Sequence, residues 1–313
     1  MTKFPRRTAL ALLSGGALSA CVPSPVVVTR AAGDPFEGGI GGTGIVGVLN
    51  DFGSLKINGL RVELTSATRY VGAFGPVASG AVAPGMSLTV LADRSRDRLV
   101  ARAVRIDHPV IGPVTRTARG PIRVNGVPVR AEPGAIGTLT PGTRVAVSGI
   151  WTPRGIAASR IDPAGDLADG VAGVVERGGA TGLTVGGTPV RLPGIAPASG
   201  TFLAVRGTFD GTAIQADQTR PGRFGAATSP LRLLSVEGYL EPVAQAPAFR
   251  IAGLGHSFAR DLRLAPLAAD RAIFFGPYTG TFAASSAYVL PESFAARRSL
   301  LRDGLPDQAI STR

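Results

Sequence analysis

A four-residue turn signal recurs along this chain at nearly even spacing, which confines it to a repeated β architecture. Ile57-Asn58-Gly59-Leu60 is followed by Val124-Asn125-Gly126-Val127, then by Val185-Gly186-Gly187-Thr188, and in looser form by Ile251-Ala252-Gly253-Leu254. Successive copies lie 67, 61 and 66 residues apart. Asn-Gly and Gly-Gly between β-branched residues favour a two-residue hairpin, because a type I′ turn needs positive φ at both central positions. Each copy is therefore expected to centre on a hairpin.

Other features keep the same order around each turn. Upstream stand apolar stretches such as Gly44-Ile45-Val46-Gly47-Val48-Leu49 and Gly170-Val171-Ala172-Gly173-Val174-Val175, read as first strands. Downstream, Pro84-Gly85, Pro141-Gly142 and Ser199-Gly200 each precede residues that alternate apolar and polar, the period of a strand with one buried face. Val100–Asp107 and Ile156–Asp162 read as closing strands, with a weaker one at Ala213–Ala216. The 43 Gly and 25 Pro thus fall at recurring turns, and only 17% of residues are charged, so the core must be Val, Ile, Leu and Ala. The expected fold class is all-β: tandem small antiparallel β-barrels, OB-like with about five strands each, and a short C-terminal helix over 292–302.

The Val/Ile-Asn-Gly-Val hairpin, the Pro-Gly-Thr-x-Val-x-Val strand and the terminal Ala-x-x-Ile strand together resemble the bacterial envelope family known as domain of unknown function 5666. The resemblance covers residues 44–217 and a degenerate fourth copy over 231–290 that keeps neither the Asn-Gly nor the Pro-Gly turn. It implies tandem small β-barrels, often in lipoproteins, and brings no catalytic residues or cofactor.

The amino terminus carries an address. Lys3, Arg6 and Arg7 precede an apolar run from Ala9 to Leu13 and a small-residue stretch ending at Ala20, the layout of an export signal. The run is too short to cross a hydrocarbon core, which needs about 20 apolar residues. Leu18-Ser19-Ala20-Cys21 resembles the bacterial lipobox, which implies cleavage before Cys21 and acylation of that residue. Cys21 is the chain's single cysteine, so no internal disulfide competes for it. Arg6-Arg7 also resembles a twin-arginine signal, although Pro5 and Thr8-Ala9-Leu10 match it loosely. The expected location is the bacterial cell envelope, lipid-anchored and facing the periplasm, with the outer membrane favoured over the inner. The expected domains are a signal peptide (1–20), a Gly/Pro-rich tether (21–44), repeats at 45–109, 110–168 and 169–222, a divergent fourth barrel at 231–290, and a tail or helix at 291–313.

Candidates for chemistry are few. His108 and His256 have no partner at ligand spacing, Lys56 is the sole lysine after the signal, and no nucleophile elbow is present. The Gly-rich run at 38–44 lacks the Lys and helix of a phosphate cradle. Asp162, Asp166 and Asp169 fit no calcium-loop spacing and read as linker turns. No catalytic residue, metal or cofactor is expected, and the function expected is a structural or binding module. An envelope enzyme acting on a polysaccharide is the alternative.

Two places suggest contact surfaces. Tyr239, Phe274, Phe275 and Tyr278 belong to an aromatic concentration in the fourth copy, and rings supply large contact areas. The first copy has a longer gap between its Asn-Gly and Pro-Gly turns than the others, holding Tyr70 and Phe74 in Arg69–Gly75. The arginine-rich balance, +12 for the whole chain, suits an envelope protein or an anionic glycan as partner. Export argues against nucleic acid.

Overall fold

In the computed structural model, residues 27–29, 42–95, 98–116, 121–131, 139–177, 182–224, 231–242, 249–255, 270–302 and 304–305 are described. The segment read as an export signal, with Leu18, Ser19, Ala20 and Cys21, lies outside them, as does His256. The described residues are all-β with one short α-helix.

Strand β1 (Val27–Thr29) comes first. The first barrel comprises β2 (Gly42–Asp51), β3 (Leu55–Ile57), β4 (Leu60–Glu63), β5 (Arg69–Val71), β6 (Ser87–Ser95) and β7 (Arg98–Asp107). β2, β3 and β4 form an antiparallel meander, β4 runs parallel to β7, and β6 pairs with both β7 and β2. That circuit closes, which removes free edges. The short β5 adds a second parallel partner to β7.

The second barrel repeats the circuit with β8 (Val110–Arg116), β9 (Ile122–Val124), β10 (Val127–Ala131), β11 (Arg144–Thr152) and β12 (Gly155–Pro163). The third does so with β13 (Asp169–Arg177), β14 (Leu183–Val185), β15 (Thr188–Arg191), β16 (Phe202–Phe209) and β17 (Ile214–Pro221). In each, the third strand runs parallel to the fifth and the fourth pairs back to the first. These are the OB-like barrels expected from the repeated turns.

The fourth unit holds β18 (Leu231–Pro242), β19 (Phe249–Ile251), β20 (Arg271–Pro277) and β21 (Ser286–Val289), followed by α1 (Phe294–Leu300). β19 and β20 flank β18, and β21 follows β20. Among the described residues no pairing closes this unit into the barrel expected for 231–290. Its far strand β21 is instead covered by β1, which falls inside the segment read as a tether.

The four units are sewn together in nested pairs. β18 pairs in parallel with β2, and β13 pairs antiparallel with β8. Packing on both of its faces explains the apolar run in β2, which is buried from Gly42 to Asn50. Ile45 and Leu49 fill the first barrel's core, whereas Val46 joins the fourth unit's core and Val48 packs with Ile150, Ala157 and Tyr239.

The Asn-Gly turns do more than reverse the chain. Asn58 (φ 54°) and Asn125 (φ 48°) sit in the left-handed region that Asn tolerates, yet both are fully buried. The Asn58 amide donates to the Val46 carbonyl at 3.0 Å and reaches Ser235 of the fourth unit. The Asn125 amide donates to Ile111 at 2.7 Å and to Gly170 of the third barrel at 3.3 Å. Glycine must stand opposite each: a Cβ on Gly47 would lie 2.0 Å from Asn58 Oδ1, and one on Gly112 only 1.9 Å from Asn125 Oδ1. Each hairpin side chain thus clamps its own first strand to that of a neighbouring unit.

Trp151, at the end of β11, packs against the corresponding turns of the other two units. Its indole Nε1 donates to the Ala172 carbonyl at 2.9 Å, and the ring fills the space a Cβ would need on Gly186 and on Gly253.

Candidate functional site

A cleft of about 580 Å³ opens where the outer surfaces of the first three barrels meet. That is within the ordinary size range for ligand sites. Its roof is the hairpin 70–77 from the long gap of the first copy, closed by Gly72 N–H donating to Gly75 at 2.7 Å and Val77 N–H donating to Tyr70 at 3.1 Å. Two arginines of the third barrel hold this roof. Arg220 Nη1 donates to the Ala73 carbonyl at 3.2 Å, and the Arg206 guanidinium lies 5.8 Å from the Phe74 ring centre. Leu203 and Val205 of β16 point into the barrel core, so Ala204 and Arg206 face outward, with Arg220 and Gln218 beside them across the β16–β17 ladder.

The floor at the end of β7 is a buried charge knot. Arg105 Nε and Arg223 Nη1 bind the two Asp107 oxygens at 2.7 and 3.0 Å, and Thr89 also hydrogen-bonds this carboxylate. Arg223 further donates to the Gly253 carbonyl at 3.1 Å and lies 4.3 Å from the Phe202 ring centre, tying the first, third and fourth units together. Burial alone would raise the Asp107 pKa, but the charges of Arg105 and Arg223 outweigh it and hold the carboxyl below its usual 3.8. Burial brings Arg223 down to about 10 even with Asp107 beside it.

His108 follows directly and lines the cleft, with Nδ1 buried and lacking a hydrogen-bond partner. Burial lowers its pKa below 6.5, against the opposing pull of Asp107. The unfolded chain therefore takes up this proton more readily than the fold does. The stability His108 contributes is complete above pH 6.5 and is lost as pH falls below it. Urea midpoints measured from pH 7.5 down to pH 5 should fall in the native protein, and His108→Gln should flatten that decline. Equal slopes in the two proteins would rule out this linkage.

The acidic linker also reaches the cleft, although its charges are largely committed. Asp162 pairs with Arg160 at 2.7 Å, while Asp169 binds Arg144 at 2.9 Å and accepts the Phe209 N–H at 2.9 Å. Asp166 is exposed. Among the described residues no group of three or more His, Cys, Asp or Glu side chains could hold a metal ion.

The structure divides the aromatic candidates. Phe74 lines the cleft, and Tyr70 is half-buried against the first barrel's core. Tyr239, Phe274 and Phe275 are 4%, 0% and 2% exposed, so the rings expected to offer a contact surface build the inside of the fourth unit instead. Two-sided packing of that sheet accounts for their number: Phe274 faces one cluster, and Phe275 faces another under α1. Tyr239 donates to Glu292 at 2.8 Å, and burial pushes its phenol up to about 12. Tyr278 is half-buried, edge-on to Phe224 with ring centres 5.6 Å apart. Arg220 drew no attention in the sequence because a lone Arg on an outward strand face has no local signature; the cleft exists only once three units have docked.

Neither a curated protein nor a solved structure matches the chain. Residues 43–106 match the family model described as Domain of unknown function (DUF5666). The match runs from the second residue of β2 to the penultimate residue of β7, so the closed first barrel is the unit similar to that family, and barrels two and three repeat its strand order.

Proposed function

We propose that this chain is a non-enzymatic, lipid-anchored protein of the bacterial cell envelope, facing the periplasm, whose folded part is a binding module for an envelope protein or an anionic polymer. The cleft between the three barrels carries the binding half of this reading. It gathers the long hairpin of the first copy, several arginines and a mostly apolar lining in one concave place. The alternative, an enzyme acting on a polysaccharide, draws on His108 and the carboxylates that line the same cleft. It is the weaker reading because Asp107 and Asp162 are held in ion pairs with arginines rather than free to move protons.

The anchor rests on Leu18-Ser19-Ala20-Cys21. Acyl chains contribute about 0.8 kcal/mol per buried CH2, so several on one residue give firm attachment. Because β1 pairs with β21, only residues 22–26 separate Cys21 from the first strand, a reach of about 20 Å when extended. The fourth unit would then stand nearest the membrane. Cells fed labelled palmitate should yield labelled, membrane-bound native protein, whereas Cys21→Ala should be unlabelled and leave the membrane fraction or remain unprocessed. A processed Cys21→Ala protein still held in membranes would refute the anchor.

A further inference from the structure

We infer that the cleft takes a small amphiphilic anion, a carboxylate or phosphate on an apolar body, with Arg220 as its charged anchor. This rests on the reading of the chain as a binding module and names the ligand class for that site. Charge complementarity is the first ground. Of the arginines lining the cleft, Arg105 is matched by Asp107, Arg160 by Asp162 and Arg206 by Asp217. Arg220 makes no ion pair among the described residues, and its one hydrogen bond there, to the Ala73 carbonyl, leaves most of its guanidinium donors unused. Asp107 already serves both Arg105 and Arg223, so the wall next to Arg220 carries a surplus of positive charge.

The second ground is the surroundings of that charge. Phe74, Val77, Met86, Ile111, Leu167 and Phe202 line the same space, and Leu167 is 44% exposed. A hydrophilic polymer would leave these surfaces uncovered, whereas an acyl or aromatic body would bury them. His108 adds a buried ring nitrogen with no hydrogen-bond partner in the same lining. The hairpin over the cleft is fastened to the third barrel by Arg220 itself.

The test titrates the full-length chain by calorimetry with monomeric dodecanoate, dodecyl phosphate and dodecyltrimethylammonium. Both anions should bind, and the cation at least tenfold more weakly. Arg220→Ala should weaken the anions by about tenfold to a hundredfold, the range for a charge-assisted hydrogen bond, and leave the cation unchanged. Arg220→Lys keeps the charge without the fork and should recover part of the loss, which separates the anchor role from a folding defect. Ala204→Trp, which fills the cleft beside Arg220, should abolish binding of all three. Equal affinity for cation and anion, or indifference to Arg220→Ala, overturns the anionic class while sensitivity to Ala204→Trp preserves the cleft as the contact site. If Ala204→Trp also has no effect, or no probe binds, both readings fall.

Discussion

Replacing Glu237 with Gln should destabilise the protein by about 3–5 kcal/mol, the cost of breaking a buried ion pair from one side. Glu237 is 4% exposed and stands on β18, where one carboxylate oxygen accepts the Val48 N–H of the first barrel at 2.8 Å. The other accepts Arg271 Nε at 2.8 Å and faces Arg297 Nε at 3.5 Å, and both arginines are fully buried. Glutamine keeps the size and the acceptor for Val48 but removes the charge that two buried guanidiniums share. Urea unfolding of native and variant proteins measures the loss. Since Arg297 is on α1, the helix should release first, and protease cleavage near it should speed up under native conditions. A loss below about 1 kcal/mol would show that the remaining contacts of the two arginines suffice without Glu237.

Trp151→Ala should cost a similar amount, about 3–5 kcal/mol, because it removes a large buried ring and leaves a cavity that cannot collapse easily. The ring is 8% exposed and meets the main chain of the third barrel at Gly173 and Gly186 and of the fourth unit at Gly253. Backbone walls relax less than side chains. Gly253 has φ 69° and no room for a Cβ, which would lie 2.0 Å from the indole, so Gly253→Ala should damage the same junction from the other side. As the only tryptophan, Trp151 also reports its own environment. Its emission should shift to the red in step with global unfolding, and a midpoint by circular dichroism left unchanged by Trp151→Ala would remove the ring from any structural role.

The barrels were legible because their turns obey local rules. Positive φ at Asn58 and Asn125 follows from the Asn-Gly pair, and the repeat spacing places one hairpin in every unit. The clamp those same side chains form was not legible, for it depends on Ser235 and Gly170 arriving from units far along the chain. The apolar run Gly44–Leu49 reads as a strand, yet nothing local identifies β18 as its neighbour. The aromatic residues of the fourth unit show the same limit. Composition sees Tyr239, Phe274 and Phe275, but only tertiary packing decides whether a ring faces a partner or a core. Of the cleft, the long loop around Phe74 could be read from its length, whereas its hairpin form and Arg220 could not.

The nested pairing of the units dictates an order of assembly. The middle units, joined through β8 and β13, have all their strand partners in hand once residue 221 is available, whereas β2 must wait for β18, whose Glu237 binds Val48 across 189 residues of chain. Contacts that distant are slow to form because the intervening loop must close before they are rewarded. A chain emerging amino terminus first would therefore finish from the inside outward, and the flank of its first barrel would stay uncovered until the last unit appeared. A cut between units 3 and 4 would not yield three sound domains and a spare: it would strip one side from the barrel that emerges first.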